Sequence, residues 1–208
     1  MIQNYNAKIV WIGRRQLTEE IQSNIDKVAK YGQAPMYISA DATDQNQLKN
    51  AYNKIIDKWG HVNGIVHSAI VLLDKSLANM IEENFRLGLK TKVNLSVRLS
   101  QVFNMQELDF MMYFSSIQSF MKAPGQSNYA AGCVFEDHYA MRMNSENTTL
   151  AKVINWSYWG NTGVVSSQEY HERMNKMGMA SIETEEAMNV LENLLAGSFN
   201  QLTMLKLL

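Results

Sequence analysis

The chain has 208 residues, of which 46% are hydrophobic and 19% charged, with a formal net charge of −1; that is enough length for one domain with a substantial core. The balance supplies no basic field for nucleic acid or anionic lipid, the one cysteine excludes an internal disulfide, and apolar runs such as IVWIG at 9–13 are too short for a signal core or a membrane span. A soluble, reducing, cytoplasmic setting is expected, and with two prolines and no low-complexity linker, residues 1–208 read as a single domain.

In chain order, short apolar runs rich in β-formers alternate with longer stretches at helical spacing. Strands are predicted at KIVWI (8–12), MYISA (36–40), GIVHSA (64–69), FMMYFS (110–115), AKVINW (151–156) and LTMLKL (202–207). Helices are predicted at about 18–30, 44–59, 80–104, 126–143, 168–176 and 184–195. The alternation predicts an α/β fold in which a parallel sheet carries helices on both faces, because parallel strands need crossovers and the crossovers cover the sheet.

Ligands of such sheets bind beyond the carboxyl ends of the strands. The residues there are Gly13-Arg14-Arg15, Asp41-Ala42-Thr43, His67-Ser68-Ala69, Ser115-Ser116 and Asn155-Trp156. As a set they resemble the edge of a nucleotide site with a reaction centre beside it, whereas Thr43 and Asp44 read individually as caps of the next helix. His67 reads as a core histidine, and the other histidines, 61, 138 and 171, have no metal-ligand spacing, so no metal site is expected.

Ser116 leaves a strand and Tyr129 enters the next helix, with the turn-forming APGQSN between them. Carbonyl reduction needs a proton donor within reach of the oxygen and a second donor to hold that oxygen, and a tyrosine and a serine meet those needs. A cation that favours phenolate makes the tyrosine more useful. One turn after Tyr129 stands Cys133, which reads either as a pocket-lining residue or, better, as a small buried thiol. On the preceding helix the stripe Phe85, Leu89, Lys92, Ser96, Leu99, Phe103 puts Lys92 on the apolar face and leaves Lys90 with Arg86 on the solvated one. Lys92 there either finds buried partners or snorkels to water.

The segments VHSAIVLLDKSLANM (66–80), FMMYFSSIQSFMKAPGQSNYAAGC (110–133) and INWSYWGNTGVV (154–165), with the closing MGMASIETEEAMNVLENLLAG (177–197), resemble the ketoreductase domain of a modular type I polyketide synthase of the free-standing-acyltransferase branch. That family belongs to the short-chain dehydrogenase/reductase superfamily with its Rossmann-like fold. The resemblance implies NADPH-dependent reduction of a β-ketoacyl chain tethered through phosphopantetheine to an acyl carrier protein. It implies Tyr129 as proton donor to the β-keto oxygen, Ser116 as its hydrogen-bond partner, and Lys92 as the group that holds the nicotinamide ribose and lowers the tyrosine's pKa. Arg14, with Arg15 as second choice, matches the arginine on the cofactor's 2′-phosphate, a group a guanidinium fork suits. Asp41 matches the acid near the adenine, and Ala69 lies on the cofactor edge. Asp74 and Met121 match positions that go with a D-configured alcohol. Cys133 replaces an asparagine of the family, Ile70 a glycine, and Trp156 and Trp159 open a segment, Trp156–Val165, that resembles the lid over the substrate.

The family's fold begins with a strand, a glycine-rich turn and a helix that receives the pyrophosphate. No such unit precedes KIVWIGRR within these residues, where Gly13 is the sole glycine before residue 20, so the first β-α unit is expected to be missing and the strands beside it to expose unpaired edges. A fragment of a longer product, a split synthase with the unit on the preceding polypeptide, and a domain retained for contacts alone each account for this. The alternative function is accordingly a non-catalytic structural remnant of the same synthase. A free-standing reductase of small carbonyls is disfavoured by the lid segment. The 208-residue polypeptide alone is expected to bind NADPH weakly in a fluorescence titration; tight binding with full reduction of a β-ketoacyl thioester contradicts that.

Overall fold

The computed structural model describes residues 1–104, 107–121, 123–146, 148–160 and 168–208, with Glu169 described by its backbone alone. A short helix α1 (Ile2–Tyr5) leads into β1 (Val10–Gly13), α2 (Glu19–Ala29), β2 (Met36–Ser39), α3 (Gln45–Trp59) and β3 (Gly64–His67). A 3-10 turn at Leu77–Asn79 precedes α4 (Glu82–Leu89), a π-helical segment (Lys90–Asn94) and α5 (Leu95–Val102). Then come β4 (Phe110–Ser116), α6 (Gln118–Met121), α7 (Ser127–Ser145), β5 (Ala151–Trp156), α8 (Gln168–Lys176), α9 (Thr184–Ala196) and β6 (Gln201–Met204). The chain forms two compact units, one of Met1–Val62 with Val97–Glu107 and one of Asn63–Ser96 with Leu108–Leu208.

The first unit is built on the parallel pair β1-β2, in register from Val10↔Met36 to Gly13↔Ser39. Ala51 and Ile55 of α3 pack on Ile38 and Ala40, with Val10 and Ile12 beside them. Local chemistry sets the helix ends. Asp44 caps α3 by accepting from the N–H groups of Asn46 and Gln47, both at 2.9 Å, and Gly60 ends it in the left-handed region at φ 81°. Thr18 caps α2, whose first turn carries Glu19 and Glu20. Phe103 meets Tyr52 edge-on, ring centroids 5.1 Å apart.

The second unit is a four-stranded parallel sheet in the order β3-β4-β5-β6. Side chains alternate across it, and the alternation sorts its two layers of helices. Met112, Ile154 and Trp156 pack against Ala187 and Leu194 of α9. On the opposite face the Tyr113 hydroxyl reaches Met143 Sδ at 3.3 Å, and Asn155 Nδ2 donates to Asp137 Oδ2 at 3.0 Å, both partners lying on α7. The α/β architecture with parallel strands is thus as expected. Among the described residues β1 pairs only with β2 and β3 only with β4, so each keeps an unpaired edge, and on β3 Val66 is 43% exposed.

The expected helix at 80–104 is divided. It starts at Glu82 without a side-chain cap and widens into π geometry at Lys90–Asn94. A one-turn π segment leaves no periodic mark in so short a stretch, and such segments gather at functional sites. Hydroxyls in and just after it take up backbone carbonyls: Thr91 Oγ1 donates to Leu87 O at 3.2 Å and Ser96 Oγ of α5 to Lys92 O at 2.6 Å. Among the described residues no helix is long and apolar enough to cross a membrane.

Ile154, fully buried between β4 and α9, is the sharpest test of this packing. Ile154→Ala is expected to cost about 2–5 kcal/mol of stability in urea denaturation; a cost below about 1 kcal/mol contradicts the packing described.

Candidate active site

The site grows from the carboxyl end of β4 and the first turns of α7. Ser116 is the last residue of β4, where its hydroxyl accepts from Gln118 N at 3.2 Å and donates weakly to Trp156 O at 3.4 Å. The Tyr129 hydroxyl interacts with the Ser116 hydroxyl and with the Cys133 thiol. Ser116 and Tyr129 both line a cavity of ≈ 330 Å³, walled also by Ile70, Leu72, Asp74, Met121, Met174 and Met177, a volume within the range of small-ligand sites.

Two glycines let α7 approach the helix that carries Lys92. A Cβ on Gly88 of α4 would lie 2.9 Å from Asn128 Nδ2, and one on Gly132 of α7 would lie 2.9 Å from both Cβ and Cγ of Lys92. Lys92 is 2% exposed, so the buried alternative holds and the snorkelling one does not. Its Nζ donates to Phe114 O at 2.8 Å and contacts Glu136 Oε2 at 3.0 Å. An ammonium has three donors, and this one lies 5.9 Å from the centroid of the Tyr129 ring.

Glu136 is also buried, and its Oε1 lies 3.1 Å from His67 Nε2. The two contacts of its carboxyl group, with Lys92 and with His67, are close approaches rather than well-aligned hydrogen bonds. Burial pushes the Glu136 pKa up to about 8 against the opposing pull of Lys92. Burial first, and then Lys92, hold His67 down at about 3, so the imidazole is neutral near pH 7. It is therefore a buried core histidine, partnered by a carboxyl group.

The expected residues do not all converge. Asp74 lines the cavity and accepts from Gln126 Nε2 at 2.7 Å, and Met121 lines it too. Cys133 is fully buried, is not among the residues lining the cavity, and has its pKa pushed up by burial to about 11, so it is the small thiol rather than a pocket wall. Trp156 and Trp159 also lie outside the lining: Trp156 points to the α9 face of the sheet and the two indoles meet edge-on at 4.9 Å. Position 156 is even-numbered on β5, and strand alternation sends it to the α9 side along with Ile154. Of the expected lid, Trp156–Val165, residues 161–165 fall outside the described residues. Ala69 is half-buried just beyond β3.

The lowering of the Tyr129 pKa by Lys92 is not seen in this arrangement. Burial first, then Cys133, raises it; the Ser116 hydrogen bond opposes, and Glu136 adds to the rise. The physical reason is burial of the phenol: the cost of charging it away from water outweighs the reach of an ammonium that lies 5.9 Å from the ring and contacts Phe114 O and Glu136 instead. Glu136 and Asp137 were missed in the sequence because charged residues on a helix usually mark its solvated face. A signal was available, since Asn128, Gly132, Cys133, Glu136, Asp137, Ala140 and Met143, all buried on α7, step by one, three or four along one stripe.

In the first unit, Gly13 makes room for Tyr37: a Cβ there would meet the Tyr37 hydroxyl oxygen at 2.9 Å. That hydroxyl donates to Arg15 O at 2.7 Å, bracing the turn that carries Arg14. Both arginines are exposed, and Arg15 pairs with Glu20 at 3.1 Å. Asp41 Oδ1 accepts from Thr43 N at 2.9 Å and Thr43 Oγ1 at 2.7 Å, closing a turn at the end of β2.

The KR domain family model matches residues 1–161. The chain is 52% identical over 207 residues to polyketide synthase PksN of Bacillus subtilis (strain 168), covering 100% of this chain and 4% of that protein. It is 44% identical over 201 residues to polyketide synthase PksM of the same strain, covering 97% and 5%. The chain therefore spans a small part of the length of these curated relatives. Among solved structures, a ketoreductase domain from the bacillaene assembly line is similar with a TM-score of 0.90 at 25% identity, over 98% of this chain and 51% of that one. A short chain dehydrogenase from Burkholderia cenocepacia J2315, in complex with NADP, shares the fold with a TM-score of 0.76 at 16% identity, over 95% and 85%.

Gly132→Ala tests the helix crossing. Helix propensity favours alanine by about 1 kcal/mol, whereas overpacking against the stem of Lys92 costs about 1–3 kcal/mol, so a net loss in denaturant titration is expected. A variant more stable than the parent contradicts the close approach.

Proposed function

The chain belongs to the KR domain family, and from that premise we propose that it reduces a β-ketoacyl group, carried on an acyl carrier protein through phosphopantetheine, to the β-hydroxyacyl group, with NADPH as reductant. The observation that carries this reading is the placement of the Ser116 and Tyr129 hydroxyls together on one cavity, with the Lys92 ammonium 5.9 Å from the Tyr129 ring.

Each unit by itself carries groups whose donor chemistry suits NADPH. The exposed guanidinium of Arg14, on a turn braced by Tyr37, suits a 2′-phosphate, with Arg15 as second choice. Asp41 at the end of β2 fits beside the adenine, and Ala69 beside the nicotinamide half. Lys92 and Tyr129 would hold the nicotinamide ribose. When bound, NADPH supplies the hydride.

The chain's own residues do the rest. Ser116 donates a hydrogen bond to the β-keto oxygen and fixes its position as negative charge grows there. Tyr129 gives that oxygen its proton; a phenol whose pKa is raised by burial stays protonated near neutrality and is ready to donate. Lys92 then faces the phenolate that remains. The apolar walls Ile70, Leu72 and Met174 receive the acyl chain, while Asp74 and Met121 on the same cavity support a D-configured alcohol.

Tyr129→Phe within the synthase removes the proton donor and leaves the ring in place. Reduction of a β-ketoacyl thioester is expected to fall at least ~10²-fold with NADPH affinity little changed; unchanged turnover removes Tyr129 from this role.

A further inference from the structure

Glu136 is an ionisable side chain placed where a core residue belongs. It is fully buried, about two turns beyond the site's tyrosine on α7, and it is the partner that Lys92 has found. The reaction assigned above gives it no task, yet the groups that take part in the reaction or surround it converge on it. Lys92 approaches from the π segment at 3.0 Å and His67 from β3 at 3.1 Å. Tyr113 of β4, and Tyr129, Cys133 and Asp137 of α7, interact with it electrostatically.

We propose that Glu136 is a positioning residue: its buried carboxyl group holds the Lys92 ammonium against the Phe114 carbonyl and sets how much of that positive charge reaches Tyr129. The proposal deepens the reduction assigned above and rests on it. Geometry carries it. Lys92 has a backbone carbonyl on one side and the carboxyl group on another, and both lie within 3.0 Å, so the ammonium is clamped rather than free to follow the phenol. Neutral His67 closes the far side of the carboxyl group and leaves Lys92 as the cation in contact with it.

The sign of the pH effect follows. With the carboxyl group protonated, the ammonium's charge is unanswered and helps to stabilise phenolate at Tyr129. As pH rises and Glu136 ionises, the pair neutralises and that help is withdrawn. Because the proton is held more tightly in the folded state than in the unfolded one, the same ionisation removes stability as pH rises from the ordinary carboxyl range through about 8.

Two readouts test the proposal. In the full chain, ¹³C NMR of labelled glutamate carboxyl groups follows Glu136, assigned by its loss in Glu136→Gln. Lys92→Met is expected to move its titration midpoint upward by about one to three pH units; an unmoved midpoint overturns the coupling. In the synthase, Glu136→Gln is expected to leave KM unchanged and to abolish the decline of kcat on the alkaline side. A kcat profile superimposable on the parent's overturns the positioning role, and Glu136→Asp, which shortens the reach but keeps the charge, is expected to retain an alkaline decline. If the parent reduces no β-ketoacyl thioester while the carboxyl midpoint still responds to Lys92→Met, the reduction itself is refuted and the clamp on Lys92 is upheld.

Discussion

A lysine ammonium that is almost wholly removed from water must be satisfied by protein, and the second unit is arranged around that requirement. An isolated buried charge is too costly to persist without partners. Lys92 meets the condition with Phe114 O and Glu136, and each partner fixes an element: the carbonyl belongs to the penultimate stretch of β4, and the carboxyl group to α7. The widened π segment and Gly132 bring the lysine stem and α7 close enough for both contacts to form. Ser116 and Tyr129, on those same two elements, are therefore held beside the cation by the contacts that pay for its burial.

This arrangement leaves the residue one turn after the tyrosine free of the task of supplying a cation. The ammonium nearest the phenol stands on the neighbouring helix, 5.9 Å from the Tyr129 ring, so position 133 needs only to be small and neutral. Cys133 is both, being fully buried with a pKa pushed up to about 11. Arg14 and Asp41, by contrast, sit at strand exits of the first unit, on turns closed by Tyr37 and Thr43, Arg14 exposed and Asp41 half-buried.

Much of this was legible in the residues. Alternating β-rich and helical stretches placed every strand within a few positions and made their pairing parallel, because apolar strands buried on both faces leave a strong signal, but not the strand order or the division into a two-stranded and a four-stranded sheet. A period of three to four located Lys92 on the core side of its helix, and the hydroxyls of Ser116 and Tyr129 flanked a turn. Three things were hidden. The π segment adds a single residue's worth of phase, below what periodicity can resolve. Glu136 looks like any surface glutamate until its buried partners are known. The face taken by Trp156 depends on which side of β5 meets α9, a tertiary fact that alternation constrains only after one residue is placed.

The account rests on hydride reaching the β-carbon of a carrier-bound ketone at the Ser116–Tyr129 centre. The most direct measurement is mass spectrometry of the acyl carrier protein after the synthase has reacted its β-ketoacyl form with NADPH deuterated at the transferred position. Deuterium on the β-carbon, with the D-configured alcohol formed, is the predicted result. A β-keto group recovered intact and unlabelled under those conditions contradicts the account.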